Sequence, residues 1–347
     1  MLPRMGRTKF LTAAVAVVAL TVGAASCSSD DAGSGSGVGS ASGDDRASST
    51  TSTAPAPEAT TVAALLALDR PIVLAHAGGD DVHPHDTPYG FDRSAAAGVD
   101  ALDMDVQLSS DGVLVVQHDD TVDRTTEGSG AVGSMTYDEL HALDAAYWFT
   151  EDCTCKDRPD EEYVLRGVRT GEVAPPDGAE PDDFAITSFE RIALDHPDHV
   201  LNIEIKGQAP EAIPAAEELA RLVREHDMTD RVVVTSFDDA VAEAFAAAAP
   251  GAAITPGLGA TSAYVLQGTL PPAGRTILQV PPDYEGIEVV NAAMLEKAHA
   301  DGLVVWVWPN DARWETAEGY TQLLDMGTDG LNAADPATAV EVVRSRT

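Results

Sequence analysis

The chain has 347 residues, of which 21 are basic and 57 acidic, giving a formal net charge of −36. So acidic a chain repels phosphate backbones, which excludes nucleic acid as a partner, and any anionic substrate then needs a cation held locally. Its length leaves about 285 residues after the N-terminal segments described next, which suits one large domain.

Arg4, Arg7 and Lys9 precede an apolar run from Phe10 to Ala25. The run is too short and too poorly flanked for a stable membrane span and has the layout of a secretory signal. It ends in Ala24-Ala25-Ser26-Cys27, which resembles the lipobox of bacterial lipoproteins, with Ala24 where leucine is usual. That resemblance makes residues 1–27 a signal peptide, Cys27 the lipidated N-terminus and the lipid an anchor to the bacterial cell membrane. Ordinary signal cleavage with Cys27 incidental is the alternative. Both place the mature protein outside the cytoplasm, anchored or secreted. Residues 28–62 are rich in Ser, Gly, Ala and Thr and cannot bury enough apolar surface to fold. They are expected to form a flexible tether with a span of roughly 30 Å, leaving residues 63–347 as the folded domain.

Strand-like segments follow at Ile72–His76, Ala101–Gln107, Val113–His118, Val200–Lys206, Arg231–Ser236, Ala252–Pro256, Thr276–Val280, Leu303–Trp308 and Gly330–Ala333. They are short and rich in β-branched residues. Amphipathic helical patterns lie between many of them, including Glu211–His226, Asp239–Ala248, Asn291–Ala300 and Glu315–Met326. This alternation predicts a parallel α/β sheet, closed as a TIM-type (β/α)8 barrel, with a doubly wound open sheet as the runner-up. Residues 150–183 interrupt the pattern with prolines, charges and no periodicity. They are expected to be an ordered insertion near the barrel rim, either a substrate-facing wall or a passive excursion. Within it Cys153 and Cys155 are expected to form a local disulfide in an oxidising compartment, zinc binding being the alternative.

Asp103 and Asp105 sit two apart in a strand and share one face. Paired carboxylates repel unless a positive group lies between them, and a hard divalent cation serves that role; a solvated acidic edge is the alternative. Ser110-Asp111-Gly112 is a turn signal that would fold Val116–His118 back beside the two aspartates. Asn202, Glu204 and Lys206 share the polar face of an apolar strand, either to ligate a cation or as an internal Glu–Lys pair. His76 ends the first strand, where barrels place their active face, ahead of Gly78-Gly79.

The run AHAGG, PHDTPYGF, GVDALDMDV, SSDGVLVVQHDDTVDRTTEGSG and MTYDELHALDAAYWF, with the later NIEIK and SFDD, resembles the glycerophosphodiester phosphodiesterases. The resemblance spans most of residues 71–340. It implies a (β/α)8 barrel of the phospholipase C-like phosphodiesterase kind that hydrolyses glycerophosphodiesters to glycerol 3-phosphate and an alcohol. It further implies His76 and His118 as general acid and base, and Asp103, Asp105 and Glu204 as ligands of Ca²⁺ or Mg²⁺. In the family a glycerol hydroxyl is thought to attack first, giving a cyclic phosphate that water opens. Lys206 would contact the substrate phosphate or support Glu204, and His85, outside these core five, would stand near the metal or the phosphate. This chain departs from the pattern at Ala77, where arginine is usual, at His85-Asp86-Thr87, where Glu-Asn-Thr is usual, and at Asp103, where glutamate is usual. Those departures keep two other readings open. One is phospholipase D-like cleavage of lysolipids or sphingolipids, and the other is a catalytically weak surface binding protein.

Overall fold

The computed structural model describes residues 56–151 and 153–346. The expected signal peptide with Cys27, and the expected tether as far as residue 55, lie outside the described residues. Each expected strand is present: β1 (Ile72–Ala75), β2 (Ala101–Leu108), β3 (Leu114–Val116), β4 (Val200–Ile205), β5 (Val232–Thr235), β6 (Ala253–Ile254) and β7 (Ile277–Val280). A small extra hairpin, β8 (Asp283–Tyr284) and β9 (Ile287–Glu288), precedes β10 (Val304–Val307) and β11 (Gly330–Ala333). Eight strands run in the order β6-β5-β4-β2-β1-β11-β10-β7, a nearly closed parallel barrel whose unpaired edges are β6 and β7. β3 stands apart, paired antiparallel to β2.

The helices are α1 (Val62–Leu65), α2 (Pro88–Ala97), α3 (Tyr137–His141), α4 (Phe189–Asp195), α5 (Ile213–Glu225), α6 (Asp239–Ala248), α7 (Leu258–Gln267), α8 (Ala292–Ala300), α9 (Ala317–Met326) and α10 (Pro336–Arg344). Their starts are set by local chemistry. Ser188, Asn291, Thr316 and Asp335 each accept a hydrogen bond from an otherwise orphaned N–H of the first turn. Glycines in the left-handed conformation end α2, α7 and α9. The outward face of the barrel carries Leu102, Met104, Val106, Leu201, Ile203 and Val234, which pack in one cluster with Leu219, Val223 and Phe245 of the helices.

The inward face is graded along the barrel. Where the strands begin it is apolar: Ile72, Leu74, Ala101, Val200, Ile277 and Trp306 cluster with Ala59, Val62 and Leu65 of the N-terminal segment. Residues 56–62, counted with the tether on composition, therefore belong partly to the folded unit. Ala59 and Val62 are buried, and the Val62 amide donates to the Asp230 carbonyl at 2.8 Å. The open end of a barrel offers apolar surface that a few small residues can cover without any periodic signal. Two residues further along β2, β4, β7 and β11 the face turns polar, with Asp103, Asn202, Gln279 and Asn332, and the next step on β2 and β4 brings Asp105 and Glu204. Alternation with a period of two carries this gradient to the strand ends.

Residues 150–183 form an ordered excursion. Short bridges join Phe149 to Thr154 and Asp144 to Ala185, and the sulfurs of Cys153 and Cys155 are bonded to each other. The Arg166 guanidinium lies 3.8 Å from the Tyr163 ring centre, 4.5 Å from Tyr147 and 4.7 Å from Trp148. A cation against three aromatic faces gives this loop its own centre.

Gly330 is required by the crowded lower barrel. A Cβ there would meet Trp306 Cδ1 at 2.8 Å and Ile72 Cγ1 at 2.9 Å. Gly330→Ala should therefore lower the unfolding free energy by about 1–3 kcal/mol, read as a lower urea midpoint, and Trp306→Leu in the same chain should recover part of the loss. An unchanged midpoint in Gly330→Ala would contradict this packing.

Candidate active site

The register of β2 against β4 sets the site. Asp103 lies opposite Asn202, and Asp105 opposite Glu204. The Asn202 amide donates to Asp103 Oδ1, and the Asn332 amide donates to Oδ2 at 2.9 Å. Gln279 locks Asn202 in turn, donating to its Oδ1 at 2.7 Å and accepting from its Nδ2 at 3.1 Å. Asp103 is thus held by amides alone. Burial pushes its carboxyl up to about 6, and Asp105 adds to that push against the opposing His76 and the two amides.

One step higher, Lys206 Nζ lies 3.2 Å from Asp105 Oδ1 and 3.0 Å from Glu204 Oε1. Burial opposes charge on all three groups. For Asp105, Lys206 and then the three nearby imidazoles outweigh burial and hold the carboxyl below its ordinary range. Glu204 is less well served: burial, with Asp105 alongside, leaves its carboxyl raised despite Lys206. One ammonium shared by two buried carboxylates does not balance them.

The two strand-end histidines are each backed by a carboxylate. His76 follows β1 and opens a tight turn in which Ala77, Gly78 and Gly79 all have positive φ. A Cβ on Gly79 would press on the Pro336 ring at 3.0 Å, so the two glycines permit the turn. This turn brings Asp80 Oδ1 to 2.8 Å from His76 Nδ1. Burial disfavours the imidazolium, but Asp80, with Asp103 and Asp105 beyond it, outweighs burial and raises the imidazole well above its ordinary pKa.

His118 arrives by the hairpin expected from Ser110-Asp111-Gly112. Gly112 has φ +88°, Val106 pairs with Val116, and the Gln117 amide donates to the Asp105 carbonyl at 2.9 Å. His118 Nδ1 lies 2.7 Å from Asp119 Oδ1, and Arg124 donates to both Asp119 oxygens, at 2.7 and 3.0 Å. Burial lowers the His118 pKa and Asp119 raises it; the net shift is upward. In both pairs a carboxylate at Nδ1 fixes the ring and leaves Nε2 to exchange a proton.

His85 is also brought here, its ring centre 5.5 Å from that of His118. Its Nδ1 is 3.1 Å from Asp86 Oδ2, and its Nε2 is 3.8 Å from Asp80 Oδ2. Both Asp86 carboxylate oxygens are buried without a hydrogen-bond partner. Orphaned and uncompensated carboxylates of this kind fit a divalent cation, whose charge they would meet.

His76, Asp103, Asp105, His118, Glu204 and Lys206 line one cavity of ≈ 230 Å³. Its opposite wall is apolar and includes Phe237, Leu258, Leu266, Ile287 and Trp308. Among the described residues none from 150–183 lines it; the excursion packs elsewhere, with Leu165, Val168 and Ala179 in a cluster with Ala146, Phe184 and Tyr89. Reading the sequence singled out the charged core but passed over its supports Asp80, Asp119, Arg124, Gln279 and Asn332, and marked Asp86 only as a departure from the family pattern. Asp80 and Asp119 carried a usable signal, since each follows a site histidine closely in sequence. Gln279 and Asn332 carried none, because only barrel closure brings their strands to Asp103.

The profile of the glycerophosphoryl diester phosphodiesterase family matches residues 76–338. A glycerophosphodiester phosphodiesterase of Caldanaerobacter subterraneus subsp. tengcongensis is 27 % identical over 282 residues, covering 79 % of this chain and 98 % of the relative. Among solved structures, the glycerophosphoryl diester phosphodiesterase domain of the Mycobacterium tuberculosis protein Rv2277c superposes with a TM-score of 0.61 at 19 % identity. It covers 79 % of this chain and 99 % of that domain. An Oleispira antarctica phosphodiesterase in complex with its product sn-glycerol-3-phosphate superposes with a TM-score of 0.57 at 19 % identity, covering 79 % of this chain and 97 % of that one. With a family match spanning the barrel from His76 onward, this chain belongs to the glycerophosphoryl diester phosphodiesterase family.

Proposed function

We propose that the chain hydrolyses glycerophosphodiesters to glycerol 3-phosphate and an alcohol, with His76 and His118 as general acid and base and Ca²⁺ or Mg²⁺ held by Asp103, Asp105 and Glu204. The observation that carries this reading is the pairing of two carboxylate-backed imidazoles, His76–Asp80 and His118–Asp119, on one cavity with those three acids. The product complex of the Oleispira antarctica relative supports the choice of product. When bound, the cation supplies positive charge to the phosphate oxygens. Lys206 adds a second positive charge, the first histidine takes the proton of the attacking hydroxyl, and the second gives one to the departing alcohol. Asp80 and Asp119 hold each imidazole in the tautomer that this exchange needs. The remaining alternative, a catalytically weak binding protein, gains no support from so complete a pair of proton-transfer groups.

The apolar wall favours a second substrate reading, cleavage of lysolipids or sphingolipids. Phe237, Leu258, Leu266 and Ile287 are large, exposed and gathered on one side of the cavity, where an acyl chain would bury them. Export and lipidation at Cys27 would hold the domain at the membrane that supplies such lipids.

Purified protein lacking residues 1–27, followed by ³¹P NMR, should release glycerol 3-phosphate from glycerophosphocholine with Ca²⁺ or Mg²⁺ and stop on adding chelator. No turnover with either metal on several glycerophosphodiesters would contradict the first reading, and cleavage of lysophosphatidylcholine alone would favour the second. His118→Ala should lower turnover by at least ~10²-fold; near-normal turnover would remove it from the mechanism.

Asp119 holds the His118 pKa up, so the limb of the pH–rate profile owed to His118 should move to lower pH in Asp119→Asn. An unmoved profile would separate Asp119 from proton transfer. In cells, Cys27→Ala should shift the protein out of the membrane fraction; unchanged fractionation would refute the lipid anchor.

A further inference from the structure

We propose that His85 and Asp86 are direct ligands of the catalytic cation together with Asp105, so that the ion is bound by a ring nitrogen as well as by carboxylates. The inference rests on the cation-dependent phosphodiesterase reading for the ion's role in turnover, and it replaces Asp103, whose two oxygens accept from amides, and Glu204, which is paired with Lys206, by Asp86 and His85 in the ligand set. One ring nitrogen of His85 and one carboxylate oxygen each from Asp86 and Asp105 lie within 4.8 Å of one another, and all three residues are buried. Donors at about 2.0–2.3 Å from a single ion sit roughly 3–4.5 Å apart, so small side-chain adjustments close this set on a metal.

Asp86 supplies an independent argument. It is 2 % exposed, and neither carboxylate oxygen has a hydrogen-bond partner. His85 Nδ1 approaches Oδ2 at 3.1 Å, but without hydrogen-bonding alignment. The nearby permanent cations are engaged elsewhere, Lys206 with Asp105 and Glu204 and Arg124 with Asp119. A buried carboxylate without a donor is costly and needs a counter-charge.

Its backbone is fixed for that task. The Asp86 amide donates to the Ala77 carbonyl at 2.8 Å, and the next residue, Thr87, caps α2 by accepting from the Gly90 amide. The two elements that bracket the cavity, the turn after β1 and the start of α2, thus hold Asp86 between them.

A nitrogen donor changes the choice of metal. Ca²⁺ and Mg²⁺ take oxygen ligands, whereas imidazole suits the transition metals and Zn²⁺. The ligand set of His85, Asp86 and Asp105 therefore favours Mn²⁺, Co²⁺ or Zn²⁺ over Ca²⁺.

The test is equilibrium binding on metal-stripped protein lacking residues 1–27, with calorimetric titration of Mn²⁺ and Ca²⁺ and visible absorption for Co²⁺. The wild type should bind Co²⁺ and Mn²⁺ at least ~10-fold more tightly than Ca²⁺. His85→Gln should weaken Co²⁺ by at least ~10-fold and change its ligand-field spectrum while leaving Ca²⁺ affinity within about 3-fold. Asp86→Asn, which keeps shape and therefore folding, should weaken Co²⁺ and Ca²⁺ alike by at least ~10-fold. Unchanged Co²⁺ affinity and spectrum in both variants would overturn the inference, as would wild-type protein that prefers Ca²⁺. If the binding results hold but no phosphodiester is turned over, only the hydrolase reading fails. If turnover is cation-dependent and neither variant changes cation binding, only the present inference fails.

Discussion

Everything in the barrel mouth follows from burying more negative charge than the chain can neutralise. Asp80, Asp86, Asp103, Asp105, Asp119 and Glu204 converge around two permanent cations, Lys206 and Arg124, and three histidines. Charge taken out of water in this way is expensive unless paired. The protein meets part of the cost with amides on Asp103, part with Lys206 between Asp105 and Glu204, and part by setting a carboxylate on each of His76 and His118. Asp86 is left with no aligned hydrogen-bond donor, only the His85 ring nitrogen 3.1 Å away. On the proposed function a divalent cation would meet the remainder, and an anionic phosphodiester could then approach a surface that would otherwise repel it.

The grading of the inner barrel face makes this arrangement affordable to a stable fold. Apolar side chains and the N-terminal segment seal the end where strands begin. An amide tier then separates that core from the charged tier above it. Asn202, Gln279 and Asn332 serve as the interface between the two: Asn202 and Asn332 donate to the Asp103 carboxylate, Gln279 holds Asn202, and none brings charge of its own into the interior. The charged tier then opens onto a cavity with one charged and one apolar wall, the feature on which the lysolipid reading proposed above rests.

Much of this was legible in the sequence because strands encode faces. The spacing of Asp103 and Asp105, and of Asn202, Glu204 and Lys206, placed each set on one side of its strand, and the Asp111-Gly112 turn brought His118 back beside Asp105. What sequence could not show is closure. Asn332 lies far along the chain from Asp103, and Gln279 from Asn202, and nothing local marks either pair as partners. Asp86 stood out only as a departure from the family pattern: its importance comes from what it lacks, an aligned hydrogen-bond donor, and only packing reveals that. The N-terminal boundary was misjudged because Ala59 and Val62 gain burial by covering a barrel end, which leaves no periodic trace. For residues 150–183, composition allowed a substrate wall or a passive excursion, and the stacking of Arg166 on Tyr163, Tyr147 and Trp148 turns the segment toward its own small core.

The claim that a cation completes this unbalanced cluster is tested most directly by calorimetric melting of metal-stripped protein with and without divalent cation. A ligand bound only by the folded state at about 100 times its Kd stabilises by about 2.7 kcal/mol, so the melting temperature should rise by several degrees and the rise should vanish in Asp105→Asn. A melting temperature indifferent to every divalent cation, or a rise that survives in Asp105→Asn, would contradict the account.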